Sequence, residues 1–342
     1  MVFLDWASTS PMIRFTAGQY GNHCINPNAA YAYEERKTLM DCEERIKKAI
    51  GVNGGHVLYF RCATEAIEWL VWDIGGRAHS PYEHDACTLG VEIAPDKVVA
   101  ADFYIHQWVN HITGEIFNLK TIRSQLPETC KLIVDATSGF GKAKLPSGLD
   151  NIADALFMSG HKIGCPELSF MWLSDNLCKW LGAAKDIRNQ WGLHHGSLSV
   201  ASVMALTDAV EWACENGDRV DEHSAELYVQ MNNLLDEACI EYHDVIEDVI
   251  ERQSFAASIN AILLNGINAD ALQQFLASRG IYVGVGGSAC SAAHDYRVLR
   301  AYGLTDDEAS EVIRVSFGEE TTARDIETLV EGIKEYKERF IV

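Results

Sequence analysis

Apolar residues in the first third of the chain recur with two different periods. In "NAAYAYEERKTLMDCEERIKKAIG" (28–51) they return every three to four positions among charged ones, the spacing of a helix with one buried face. Gly51 closes it, because glycine enters the left-handed conformation that ends helices without a steric penalty. "HVLYF" (56–60) is a short unbroken apolar run, and "ATEAIEWLVWDIGG" returns at once to helical spacing. "KVVAADFYI" (97–105), "KLIVDAT" (131–137), "ADALFMSG" (153–160) and "LSFMWLSD" (168–175) are further strand-length runs. Strands apolar on both sides need cover on both faces. Helical segments sit between many of them, which predicts an α/β layered domain on a mainly parallel sheet.

From about 198 to 240 the pattern is helical throughout. Beyond about 250 shorter units alternate: "SINAILLNG" as strand, "ADALQQFLASRG" as helix, "VIRVSFG" as strand and "ARDIETLVEGIKEYKERF" as helix. That alternation predicts a smaller α+β domain. The expected division is 15–249 for the large domain, with 1–14 and 250–342 forming the small one.

Composition narrows the class. The 342 residues are 48% hydrophobic and 23% charged, enough apolar material for one large or two closely joined cores. The net charge of −21, from 49 acidic and 28 basic residues, argues against non-specific grip on nucleic acid or anionic membrane. "MVFLDWASTSP" lacks the basic-then-apolar pattern of a secretory leader, and no apolar run approaches the roughly 20 residues of a membrane helix, so a soluble, cytoplasmic chain is expected. The ten cysteines are scattered irregularly without CxxC spacing, which predicts reduced thiols and no structural metal.

Four stretches carry candidate chemistry. "FMSGHKIGCP" (157–166) ends a strand with Ser, Gly, His and Lys, and Lys162 there is either a solvated charge or a Schiff-base nucleophile. "VDATSGFGK" (134–142) puts Asp135 at the end of an apolar strand, where open α/β sheets place ligand-binding groups. A buried carboxylate needs a partner, and the ring nitrogen of pyridoxal phosphate would supply one. "YFRCATEAIEWL" (59–70) reads strand, turn, helix, so amides around Ala63 and Thr64 would suit a phosphate, although Thr64 is equally a simple helix cap. "SPYEHDAC" (80–87) adds His84, which either stacks on a cofactor ring or is an ordinary hydrogen-bonded histidine. Separately, "GVGGSACSA" (284–292) holds Cys290 among residues too small to pack around it.

Taken in order, these stretches resemble the pyridoxal-phosphate-dependent cysteine desulfurases of the NifS/IscS type, within the fold-type-I, class V aminotransferase group. "FLDWASTSP" resembles that family's opening segment, and "YGNHCINPNAAYAYEER" its following glycine–asparagine stretch. The likeness is strongest in "GGSACSAAHDYRVLRAYGLTDDEASEVIRVSFGEETTARDIE". The resemblance implies His84 stacked on the ring, Asp135 at the pyridinium nitrogen, and Ser159, His161, Ala63 and Thr64 around the phosphate. It implies Lys162 as the Schiff-base lysine, Cys290 as the nucleophile and Arg314 as the substrate-carboxylate residue. It also implies a homodimer in which Ser197 of "HHGSLSV" reaches the other subunit's phosphate.

Some positions depart from the family. His111 stands where an asparagine usually contacts cofactor and substrate, with Asn110 beside it, and Ser138 where a glutamine reaches the cofactor's phenolic oxygen. Cys62 replaces a glycine of the phosphate turn, and His194 an arginine. The implied activity is desulfuration of L-cysteine to L-alanine, with a persulfide on Cys290 handed to an acceptor protein serving Fe–S, tRNA or DNA sulfur chemistry. A selenocysteine lyase, an aminotransferase of the same fold and a non-catalytic dimeric scaffold stand as alternatives.

Overall fold

The computed structural model describes residues 1–342 except 22, 24, 72–75, 89, 247–254, 287–294 and 342. The chain divides into two compact units: a larger one of Met12–Trp108 and Asn118–Asn216, and a smaller one of Met1–Pro11, Val109–Phe117 and Gly217–Val342. Strand β1 (Val2–Leu4) opens the smaller unit. The larger then follows with α1 (Tyr33–Ile50), β2 (His56–Phe60), α2 (Ala63–Val71), β3 (Arg77–His79), β4 (Val91–Glu92), β5 (Phe103–Gln107), α3 (Leu119–Gln125), β6 (Lys131–Asp135), β7 (Ala155–Ser159), β8 (Ser169–Leu173) and α4 (Asp175–Leu181). Helix α5 (Val200–Glu237) ends within the smaller unit. That unit continues with β9 (Tyr242–Asp244), β10 (Ile259–Leu264), α6 (Ala269–Ala277), β11 (Ile281–Val285), α7 (Arg297–Ala301), α8 (Asp306–Ala309), β12 (Val312–Ser316) and α9 (Ala323–Phe340).

The larger unit is built on a seven-stranded sheet of order β2-β8-β7-β6-β5-β3-β4. Strand β8 runs antiparallel to β2 and β7, and the remaining pairs are parallel, so the expected mainly parallel mixed sheet is present. The unbroken apolar runs explain the middle of it: every residue of β5, β7 and β8 is buried. On one face Ala66, Ile67 and Leu70 of α2 and Leu177 of α4 pack with Leu58, Phe103, Ile133, Phe157 and Met171.

Element boundaries differ from the sequence pattern where side chains compete with the ladder. Helix α1 starts at Tyr33 rather than 28, because the Arg36 guanidinium takes the carbonyls of Pro27, Ala29 and Ala30. Its end at Gly51 is as expected: that residue is left-handed (φ 74°) and its N–H returns to the Lys47 and Lys48 carbonyls. Only the last three residues of the 97–105 run are strand, which continues to Gln107, since Val99 lies almost fully exposed ahead of it. Strand β3, "RAH", has no apolar run to reveal it.

The smaller unit holds a five-stranded sheet of order β1-β11-β12-β10-β9, in which only β1 and β11 run parallel. It begins near Gly217 rather than 250 because Leu227, Met231 and Leu235 of α5 are buried with Ile262, Ile313 and Val315 of the sheet and Leu272, Leu276, Ile326 and Leu329 of α6 and α9. Val109–Phe117 joins it through a bridge between Glu115 and Phe255 and a bond from the Ala256 N–H to the Gly114 carbonyl at 2.8 Å. Among the described residues no helix is long and apolar enough to cross a membrane.

Candidate active site

Parallel strands deliver their carboxyl ends to one edge of a sheet, and the register of the larger unit shows what arrives there. Gln107 at the end of β5 pairs with Asp135 at the end of β6, which in turn pairs with Phe157 of β7. Ser159, Ser169 and Phe60 form the adjoining row across β7, β8 and β2. The segments that leave this edge are those singled out by sequence: Ser138 after β6, His161 and Lys162 after β7, Ala63 and Thr64 after β2.

Asp135 is 7% exposed, and its Oδ1 accepts the Thr137 N–H at 2.8 Å. Lys162, 8% exposed, stands in the short turn Gly160–Ile163 on the neighbouring strand. Two ionisable groups this buried, on adjacent strand ends, argue against a solvated charge and for a ligand. The turn depends on Gly160, where an added Cβ would lie 2.1 Å from the Leu168 carbonyl and 2.5 Å from that of Cys165.

Ser159 is buried, with its hydroxyl 3.4 Å from that of Ser169. His161 is half-buried, and burial, reinforced by the charges of Lys162 and Lys142, pushes its imidazole down to about 4. It is therefore neutral near neutral pH. At α2 the first intrahelical bond runs from Ala66 N–H to the Cys62 carbonyl, and the Glu65 N–H faces the Cys62 sulfur at 3.4 Å. The amides of Ala63 and Thr64 precede that ladder, the position from which helix starts bind anions. Thr64 and Cys62 are exposed, and Ser138 is buried.

His84 caps the turn Asp85–Cys87, its Nδ1 accepting the Ala86 N–H at 3.1 Å. Residues that sequence reasoning passed over anchor this segment to the strand ends. The carboxylate of buried Glu83 accepts the Gln107 N–H at 2.7 Å, and the Gln107 amide donates to the Tyr82 carbonyl. The Cys87 thiol lies 3.7 Å from Asp135 Oδ2. No motif marks Glu83 or Gln107, and Cys87 is one of the ten scattered cysteines. The eight described cysteines are all free, as expected.

Ser197 is exposed, and it follows a left-handed turn in which Asn189, Gln190 and Trp191 all have positive φ (49°, 50° and 60°). The Gln190 amide explains how that strained backbone is held. Its oxygen accepts the Tyr59 N–H at 2.6 Å, and its nitrogen donates to the Tyr59 carbonyl at 3.2 Å. It so completes the outer edge of β2, and it lies 2.8 Å from His194 Nδ1.

The substrate residues expected from sequence fall within the smaller unit. Arg314 of β12 is 1% exposed; it donates to the His111 carbonyl at 2.9 Å and pairs with Asp5 at 2.7 Å. Asn110 is buried, its Oδ1 accepting the N–H groups of Ile112 and Thr113 at 2.8 and 3.0 Å, and so shapes the turn on which His111 sits. Cys290 lies outside the described residues.

The larger unit's edge fits pyridoxal phosphate by its donor set: a carboxylate for the ring nitrogen, an amine for the aldehyde carbon, and helix-start amides with Ser159 for the phosphate. The Thr137 hydroxyl beside Asp135 adds a buried polar atom with no partner among the described residues.

Comparison with known proteins agrees with this edge. The aminotransferase class-V model matches residues 96–329. Cysteine desulfurase IscS of Pectobacterium carotovorum subsp. carotovorum (strain PC1) is 27% identical over 384 residues, covering 97% of this chain and 92% of its own. Cysteine desulfurase IscS of Mannheimia succiniciproducens is 28% identical over 252 residues, covering 71% and 58%. Among solved structures, a NifS-like protein has a TM-score of 0.81 at 19% identity, covering 98% of this chain and 99% of that one. A NifS-like protein from Rickettsia africae ESF-5 gives 0.80 at 17%, covering 99% of both, so these likenesses extend the fold over nearly the whole length. With that family's model matching more than half of it, the chain belongs to the aminotransferase class-V family of pyridoxal-phosphate-dependent enzymes.

Proposed function

We propose that the protein is a cysteine desulfurase, which takes sulfur from L-cysteine and leaves L-alanine. What carries the reading is the pairing of buried Asp135 and Lys162 on adjacent strand ends, in a class-V chain whose relatives are named cysteine desulfurases. When bound, pyridoxal phosphate supplies an electron-poor ring that stabilises negative charge at the substrate Cα. The Asp135 carboxylate keeps a proton on the ring nitrogen, and Lys162 moves the proton at the substrate Cα. His84 would help to hold the ring; with Nδ1 given to the Ala86 amide, its neutral form carries the proton on Nε2. Ala63, Thr64, Ser159 and His161 would hold the phosphate, and Ser138 would serve the phenolic oxygen. Arg314, with Asn110 and His111, receives the substrate's carboxylate end.

At sulfur, the Cys290 thiolate forms an S–S bond as the substrate's C–S bond breaks. The C–S electron pair stays on carbon, which takes a proton to become alanine, and Cys290 is left as a persulfide. Burial pushes the thiols of Cys130, Cys165 and Cys178 up to about 11, and that of Cys214 up to about 12, so these stay protonated and unreactive near neutral pH. The glycine- and serine-rich sequence around Cys290 suits delivery to an acceptor protein. A homodimer with Ser197 at the second phosphate belongs to the same reading.

The test is to incubate the purified holoenzyme with L-cysteine and measure alanine and released or protein-bound sulfur together, beside Cys290→Ala. Equal alanine and sulfur from the wild type, both lost in the variant, are expected. Alanine surviving in the variant would move the acceptor to another thiol, exposed Cys62 or Cys239 being the first to examine. A holoenzyme that yields no alanine from cysteine would overturn the desulfurase reading.

A further inference from the structure

Arg314 is almost fully buried, and its guanidinium is only partly satisfied. Its Nη2 meets Asp5 Oδ1 at 2.7 Å and its Nη1 donates to the His111 carbonyl at 2.9 Å, yet the buried Nε has no acceptor among the described residues. An unmade hydrogen bond on a buried charged group is costly, so an orphaned N–H here points to a place for a ligand. The neighbouring strand keeps the same nitrogens clear. Gly284 of β11 is in register with Arg314, and a Cβ on it would lie 2.9 Å from Nε and 3.0 Å from Nη2. Any side chain at 284 would occupy the space beside that edge of the guanidinium.

Asp5 is itself fixed. Its Oδ2 accepts the Ser8 hydroxyl at 2.6 Å, the Ser8 N–H returns to the Asp5 carbonyl at 3.0 Å, and residue 5 forms a parallel bridge with Ser316. A carboxylate anchored on one hydrogen of Nη2 and a carbonyl on Nη1 together set the rotation of the guanidinium. Three of the five N–H groups are left over, one on each Nη and the Nε–H, and the Nε and Nη2 pair forms the side-on fork that matches a carboxylate.

We propose that Asp5 is a positioning residue, a resident counter-ion that holds Arg314 with its Nε/Nη2 fork presented to the α-carboxylate of an amino-acid substrate. The proposal rests on the reading of Arg314 as the substrate-carboxylate residue. Asp5 acts through geometry rather than through charge, since its own negative charge repels the incoming carboxylate. Replacement by asparagine keeps the Oδ1 acceptor and is tolerated; replacement by alanine releases the guanidinium and is not.

The test uses holoenzyme and two readouts: the Kd of L-alanine by calorimetry, and the KM and kcat for L-cysteine. Asp5→Ala is expected to raise both Kd and KM by about tenfold, 1.4 kcal/mol of binding, while kcat changes far less. Asp5→Asn is expected to return Kd to the wild-type value or below it. Arg314→Gln separates the two claims. If Arg314→Gln leaves the alanine Kd unchanged, the reading of Arg314 itself fails. If Arg314→Gln weakens binding but Asp5→Ala does not, or if Asp5→Asn is as damaging as Asp5→Ala, the role given to Asp5 is overturned. Should Asp5→Ala not fold, Ser8→Ala loosens the same carboxylate more gently; a Kd raised roughly threefold supports the proposal, and an unchanged Kd overturns it.

Discussion

Lys162 and Asp135 are asked for different things, and single substitutions separate them. Lys162→Ala removes the group proposed to move the substrate's proton, and alanine formation is expected to fall by about 10²–10⁴-fold, read as kcat on protein whose circular dichroism is unchanged. Asp135→Asn keeps an oxygen for the Thr137 amide but loses the charge proposed to hold the ring proton. It is expected to shift the visible absorption of the bound cofactor and to lower kcat with little loss of thermal stability; an unchanged spectrum would remove Asp135 from the ring nitrogen. Asp135 and Lys162 are legible in sequence because they stand at or just past the ends of apolar runs, and Arg314, in the middle of β12, only through the family resemblance. Their supports are not. Cys87 meets Asp135 across 48 positions and Asp5 meets Arg314 across 309, separations over which a single sequence carries no pairing signal.

At the scale of elements, the exposed edge of β2 and the turn carrying Lys162 are the places where one side chain decides local structure. The Gln190 amide satisfies both backbone groups of buried Tyr59. Gln190→Ala would leave both unpaired and is expected to cost about 2–4 kcal/mol in denaturant unfolding. A loss within a few tenths would mean that water or a neighbour replaces the amide. Gly160→Ala forces a Cβ into two carbonyls and is expected to displace the Lys162 turn, lowering cofactor affinity as well as thermal stability. Cofactor retained at wild-type affinity would show that the turn relaxes without moving Lys162. The central strands were readable because burial on both faces demands continuous apolar runs. β3 was not, its three residues being held by β4 and β5 rather than by composition, and the left-handed turn at 189–191 has only Gly192 after it as a hint.

For the whole molecule, two histidines whose imidazoles are pushed down by burial contribute to the response to acid. Burial pushes His106 down to about 4 and His161 likewise to about 4, against an ordinary 6.5. Between about 6.5 and about 4 the unfolded chain binds protons that the folded chain refuses, so stability falls as pH drops through that window. Asp221 has the opposite sign: burial raises its carboxyl to about 6 from 3.8, so its contribution falls as pH rises between those values and partly offsets the histidines. His106→Gln is expected to flatten the acid limb of denaturant midpoints measured across the window, and an acid limb as steep as in the wild type would contradict that assignment. The α/β layering and the later α+β unit were legible from periodicity. The place of α5's second half and of Val109–Phe117 was not, because it depends on contacts with strands that come later in the chain. On the proposed reading, the strand-end edge holding Asp135 and Lys162 binds pyridoxal phosphate through Lys162, and borohydride reduction of the holoenzyme followed by peptide mapping tests that linkage. The cofactor's mass is predicted on Lys162 alone; its appearance on buried Lys142, on any other lysine, or on none would contradict the account.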